Sequence, residues 1–269
     1  MKVFDMTTRN RIGRGNDKAL YNELVRIQIG DILLFGSYYL PGVADPNDVK
    51  VKCPIDWQII DKNGDRLMLL SKHSLYWNYY DGRAPIMGPP PRTSWEKSTI
   101  REELNSERIE EWFSIPEQSI IMENIQFMDE NPVYQTSSGK ATLDKLFLLN
   151  LEEAKRYLKI DKQSSRNLDP ARGNSAGGYM IMADEDPDKE GEIMLFPAWE
   201  SWWLRTSGID DRLVICVKED GTIDYEGIGA SADEVGIRPA MWIDFGRLQP
   251  NEKDKMPDEE DAENILPFF

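Results

Sequence analysis

The side chains that could do chemistry are few for a chain of 269 residues. His73, in Ser71-Lys72-His73-Ser74, is the only histidine. A Ser-His-Asp relay would have to use it, and no Gly-x-Ser-x-Gly elbow is present to offer a nucleophile. Cys53 and Cys216 lie among apolar neighbours, far apart in sequence and outside any Cys-x-x-Cys pair. One histidine and two such cysteines cannot supply a multi-ligand zinc site. The 48 Asp and Glu residues are too many for spacing to single out an acid and a base.

Two short motifs invite a ligand and fail on chemistry. Ser138-Gly139-Lys140 matches the end of a phosphate-binding loop, but Tyr134 stands where the first glycine should be. Without that glycine the backbone amides cannot turn to cradle phosphates. Asp184-Glu185-Asp186-Pro187-Asp188 offers the carboxylates that calcium needs, but Lys189 replaces the turn glycine and Leu195 the closing glutamate. An EF-hand is therefore excluded; the run at 184–190 reads as a solvated acidic loop, with a looser calcium site as the alternative.

The segment Trp199–Trp242 is different. Trp202-Trp203-Leu204-Arg205-Thr206-Ser207-Gly208 puts large rings on both faces of a strand. Arg205 suits a buried ion pair, and Arg238-Pro239-Ala240 leads to Trp242. Trp202, Trp203, Arg205, Arg238 and Trp242 read as a structural frame. Beside them, the loops at 207–212 and 226–236 form a candidate recognition surface.

Composition narrows the partners. A net charge of -16 opposes binding to nucleic acid or an anionic membrane. Apolar residues make up 40% of the chain, enough for a core, yet no run approaches the roughly 20 needed to span a bilayer. Met1-Lys2-Val3-Phe4-Asp5 turns polar at once and does not look like a signal peptide. Two buried thiols in a reducing compartment fit better than a disulfide, so a cytoplasmic location is the expectation.

Elements follow from periodicity and turn chemistry. A helix is predicted over Asp17–Ile27, from Leu20, Leu24 and Ile27. Strands are predicted at Asp31–Phe35, Ile55–Ile60 and Arg66–Leu70, the last two joined by a turn at Asp61-Lys62-Asn63-Gly64. Thr99-Ile100-Arg101-Glu102 and Ser114-Ile115-Pro116-Glu117 read as capping boxes, the second opening a helix to Met122. Lys145–Leu149 reads as a strand, and Asn150 as the cap of a helix over Leu151–Leu158. Strands return at Trp202–Thr206, Arg212–Lys218, Thr222–Tyr225 and Ile237–Ile243. Strands, then helices, then strands predict an α+β fold with helices segregated in the middle.

Read in order, several motifs resemble a bacterial family catalogued as domain of unknown function 6273. They are Gly30-Asp31, Ile55-Asp56-Trp57-Gln58-Ile59, Leu69-Leu70-Ser71-Lys72, and Trp95-Glu96-Lys97-Ser98-Thr99-Ile100-Arg101 with Leu104-Asn105. Asp144-Lys145-Leu146-Phe147-Leu148-Leu149, Trp202-Trp203-Leu204-Arg205-Thr206 and Gly236-Ile237-Arg238-Pro239-Ala240 complete the set. The resemblance covers about 30–245, leaving 1–29 as an N-terminal extension and 246–269 as an acidic tail. The part at 161–192 is an acidic insertion. The family brings no assigned activity.

The closing motifs are similar to the end of the C-type-lectin-like fold, which formylglycine-generating enzymes and hypervariable ligand-binding proteins share. That likeness implies twisted antiparallel sheets with Trp-rich C-terminal strands. It also implies a ligand face at Ile209, Asp210, Asp211, Arg212, Asp224, Tyr225, Glu226, Ile228 and Ser231. The enzymes use a cysteine pair near their last strands to hold copper, and this chain has only Cys216 there. The Glu-Pro-Asn motif of calcium-dependent lectins is missing. The expectation is a non-catalytic module, without cofactor or metal, that binds a protein or glycan and neither binds nucleic acid nor inserts into a membrane. The alternatives are a remote formylglycine-generating-like enzyme, and a phage or secretion-system component that assembles through its acidic tail.

Overall fold

A computed structural model describes residues 1–7, 12–13, 15, 17–39, 52–83, 89–158, 201–218 and 220–249. Trp199, the acidic insertion 161–192 with its run at 184–190, and the tail beyond Gln249 lie outside the described residues.

In chain order the elements are β1 (Val3–Asp5), α1 (Asp17–Leu24), β2 (Ile32–Tyr39), β3 (Lys52–Asn63), β4 (Arg66–Ser71) and β5 (Tyr76–Trp77). Next come α2 (Thr99–Glu103), α3 (Ile109–Trp112), α4 (Ile115–Gln118), β6 (Asn124–Gln126), β7 (Thr142–Asp144), β8 (Leu146–Phe147) and α5 (Leu151–Leu158). The last are β9 (Trp202–Ser207), β10 (Leu213–Val217), β11 (Ile223–Gly229), β12 (Gly236–Ile237) and β13 (Ala240–Asp244). The fold is α+β.

Strands β1-β2-β3-β4-β13-β8 form a six-stranded sheet, and β11-β10-β9-β12-β5 a five-stranded one. A ribbon of β6 and β7 stands apart from both. The sheets are mixed, not wholly antiparallel, because β1 runs parallel to β2 and β12 parallel to β9. Nor are all helices central in the chain, since α1 precedes the long strands. Residues 1–29, read from sequence as an extension, add β1 to the large sheet and bury Met6, Leu20, Leu24 and Ile27 in the core.

Local rules account for most boundaries. The β3–β4 hairpin closes at the pair Asn63 and Arg66, so the turn is Gly64-Asp65, with Gly64 at a positive φ of 59° that suits glycine. Asn150 caps α5 as expected: its side chain accepts from the Glu153 amide at 2.7 Å, and Glu153 accepts from the Asn150 amide at 2.9 Å. The cap of α2 is Ser98, one residue before the predicted position, because its hydroxyl accepts from the Arg101 amide. Ser114 and Glu117 form their box, but α4 stops at Gln118, where Ile121 bridges to Ile243. The strand predicted over Ile237–Ile243 is broken. Pro239 has no amide to continue a ladder, and the chain there crosses from the five-stranded sheet to the six-stranded one.

The ordered motifs are clasps between layers. Trp95 Nε1 and Arg101 Nε donate to the two oxygens of buried Asp144 at 2.8 and 2.7 Å. Asn105 donates to the Leu146 carbonyl and accepts from the Lys145 and Leu146 amides. Arg205, 1% exposed, grips both Glu153 oxygens at 2.7 and 2.8 Å and donates to the Leu148 and Phe127 carbonyls. No helix among the described residues is long and apolar enough to cross a membrane.

Removing one partner of a buried ion pair strands the other. Glu153→Ala should therefore lower stability by about 3 kcal/mol, read as a drop in the urea midpoint at unchanged slope. A midpoint within error of the parent would show that Arg205 is satisfied without its carboxylate.

Candidate functional site

Strand β9 carries the frame. Trp202 and Trp203 point to opposite sides and are both fully buried. The Trp203 ring packs 5.7 Å from Tyr80, and its Nε1 donates to the Asn78 carbonyl. The Trp202 ring lies 5.0 Å from the Arg238 guanidinium. Arg238 donates from Nε to the Ser71 carbonyl, and burial pushes its pKa down to about 9. Trp242 is only half-buried. Next to Arg205, Thr206 donates to Asp129 at 2.7 Å and accepts from the Leu151 amide, joining β9 to the head of α5.

Beyond Thr206 the chain leaves the frame for the predicted recognition loops, and Asn131 holds them. Its side-chain amide, buried, donates to the carbonyls of Ser207, Gly208 and Tyr225 at 3.2, 3.1 and 2.8 Å. Its oxygen accepts from the Val133 and Tyr134 amides, so it also shapes its own turn. Two glycines permit the approach. A Cβ on Gly208 would sit 2.1 Å from the Glu226 carbonyl oxygen, and one on Gly227 would sit 2.6 Å from that of Val214.

The pairing of β10 with β11 shifts between Val214 and Cys216, so Tyr225-Glu226-Gly227 bulges out opposite Ile215. A bulge re-aims side chains that a regular ladder would send into the sheet. Asp224 stabilises it by accepting from the Glu226 and Gly227 amides.

The bulge and the Asn131 turn enclose an open cleft of about 580 Å³, lined by Pro132, Val133, Tyr134, Lys218, Asp224, Tyr225 and Glu226. Tyr134 Oη lies 3.4 Å from Glu226, and Lys218 lies 3.2 Å from Asp224. Lys155, reaching from α5, places Nζ 5.5 Å from the centre of the Tyr225 ring. Partial desolvation and the nearby Glu226 and Asp224 hold the Tyr134 hydroxyl above its usual range. A hydrogen bond to Asp224 raises Lys218 as well.

The nine predicted face residues therefore divide. Asp224, Tyr225 and Glu226 come together on the cleft. Ile209 stands exposed beside them, its amide bonded to the Glu226 carbonyl. Asp210, Asp211 and Arg212 belong to the neighbouring β9–β10 turn, where Arg92 pairs with Asp211 at 3.1 Å. Ile228 pairs with Val214 in the ladder and packs on the core, and Ser231 lies in the turn that follows. Sequence reasoning missed Asn131, Val133, Tyr134 and Lys218. The first three reach the face from a turn some 75 residues or more upstream of it, which no local pattern reveals.

The other candidates fill structural posts. Ser138 is buried and accepts from the Ser207 amide, while Gly139, at φ 96°, packs against Ser94. Cys53 is half-buried and Cys216 buried; both are free thiols, and burial pushes Cys216 up to about 12. They sit on different sheets, on β3 and β10. Among the described residues, no three His, Cys, Asp or Glu side chains come together as a metal site. Burial, with Lys72 and Arg238 nearby, pushes His73 down to about 4.

The fold and the face define an α+β domain with a loop-built cleft at one end of its smaller sheet. Residues 65–245, two-thirds of the chain, match the model described as Domain of unknown function (DUF6273), and the chain belongs to that family. No curated protein and no solved structure matches it significantly.

Asn131→Ala leaves three carbonyls without their donor and should cost about 2 kcal/mol. Amide exchange at Ile209 and Gly227 should rise more than exchange in β3; equal changes would mean that Asn131 does not hold the face. A second prediction concerns pH. The unfolded chain takes up a proton at His73 near pH 6.5, the folded chain only near 4. Unfolding is thus coupled to proton uptake between those values, and stability falls as pH falls. The loss should reach up to about 3 kcal/mol and should shrink in His73→Gln. Burial holds Asp56 and Asp129 above their usual range and works the other way. The measurement is therefore the difference between parent and variant urea midpoints at pH 7 and 4.5.

Proposed function

We propose that this chain is a non-catalytic binding module that holds a protein ligand on the face built by the β9–β10 turn, the β11 bulge and the Asn131 turn. A C-type-lectin-like arrangement is part of this reading, supported by a face that gathers between the last strands and by the closing motifs. The observation that carries it is the company of exposed apolar groups and half-buried tyrosines on a braced backbone. Ile209 is 46% and Val133 58% exposed, on either side of Asn131, with Tyr134 and Tyr225 between strand and turn. Braced tyrosines and apolar side chains give contact area at low entropic cost. Burial of the Cys216 thiol and its raised pKa disfavour a reactive thiolate, which tells against the formylglycine-generating alternative.

The experiment is quantitative capture from the source cell with the parent, with Ile209→Asp/Val133→Asp, and with Ile115→Asp as a control on α4, where Ile115 is 84% exposed. A partner bound through this face should lose about 30-fold in affinity with the double variant, the scale of a hot spot. It should lose nothing with the control. A partner retained equally by all three would place recognition elsewhere.

A further inference from the structure

We infer that the cleft receives an arginine side chain presented by the protein partner; this rests on the face proposed above and names the chemistry of its ligand. The cleft sets one open carboxylate beside two phenol rings. Glu226 is exposed, and among the described residues it has no cationic partner; its side chain is met only by Tyr134 Oη at 3.4 Å. Asp224, by contrast, is occupied by Lys218 and by the bulge amides. The lining thus carries one positive and two negative side chains, within a chain of net charge -16.

The local field agrees with the geometry. Asp224 at the cleft raises Lys218, and partial desolvation with Glu226 and Asp224 raises Tyr134, so both hold their protons more tightly than usual. The chain also demonstrates the contact it offers, since Lys155 Nζ already sits 5.5 Å from the Tyr225 ring centre. An anion would meet Glu226 and Asp224 head on, and an apolar group would strip water from the Glu226 carboxylate without repayment. A guanidinium satisfies both features, because it can fork onto a carboxylate while lying flat on a phenol ring.

Overall charge attraction is the effect to separate from a built site. The probes are fluorescein-labelled Gly/Ser dodecapeptides bearing three arginines, three lysines or three citrullines, followed by anisotropy at two salt concentrations. An N-acetylglucosamine oligomer serves as the neutral glycan. The arginine peptide should bind at least about tenfold more tightly than its citrulline counterpart. Glu226→Gln and Tyr134→Leu should each remove most of that difference, with urea midpoints unchanged. Glu107→Gln, an exposed acid on the helical layer, should alter binding less than about twofold. Equal binding of arginine and citrulline peptides overturns the inference. So do equal effects of Glu226→Gln and Glu107→Gln, or binding of the oligomer in preference to the peptide. If the peptides fail while the Ile209/Val133 variant still loses its partner, the face stands and only its arginine specificity falls.

Discussion

A single guanidinium, that of Arg205, joins parts of the molecule that share no strand pairing. It extends from the middle of β9, binds the first turn of α5 through Glu153, and takes carbonyls from Leu148 and Phe127. Both terminal nitrogens of this buried group are engaged, and its charge is paired with Glu153. The segments it binds are therefore fixed relative to β9 within hydrogen-bond tolerance. Thr206 repeats the link one residue later through Asp129, and Ser207 and Gly208 repeat it through Asn131. The long excursion between α4 and β8 is thus anchored to β9 and the turn after it at Phe127, Asp129 and Asn131.

That anchoring makes a surface out of unrelated pieces. The bulge in β11 exposes Glu226 and leaves Tyr225 half-buried on the cleft wall, and the excursion brings Val133 and Tyr134 to meet them. None of the four is close to another in sequence except within its own pair. The loops stay exposed while their backbone is tied to buried groups, which is how a face can combine variety with rigidity. The Cys216 thiol is buried, and burial raises its pKa; among the described residues no three His, Cys, Asp or Glu side chains gather as a metal site.

Much of the fold was legible in the sequence because its signals are local. The β3–β4 hairpin, the Asn150 box and the Trp202-Trp203 alternation are each decided within a few residues, although Asp61, Lys62 and Asn63 of the predicted turn stay in β3 and the chain reverses at Gly64-Asp65. The α+β class follows from their order. What escaped is non-local or concerns irregularity. Nothing near Val3 announces a parallel partner at Ile32, and nothing in Thr222–Tyr225 announces that the strand resumes after a bulge. Arg238-Pro239 did carry a signal, a proline inside an apparent strand, and it marks a change of sheet. For the site, the predicted ligand face contains three residues of the cleft, Asp224, Tyr225 and Glu226, but only Glu226 lies in a predicted loop, and Ile228, in the same loop, belongs to the ladder. The motifs that carry the family likeness turned out to be clasps, so they report on the fold more than on the ligand.

The crossing at Arg238-Pro239 also bears on how the chain is made. Strand β13 is inserted between β4 and β8, and β12 between β9 and β5, so both sheets are completed from within by residues 236–244. A growing chain that has not yet delivered them leaves β4 and β9 as open edges, and open edges pair with whatever strand is near. Sheet closure must wait for contacts that span well over 150 residues, the kind that form late. During synthesis the edges of β4 and β9 therefore stay open until residues 236–244 have left the ribosome.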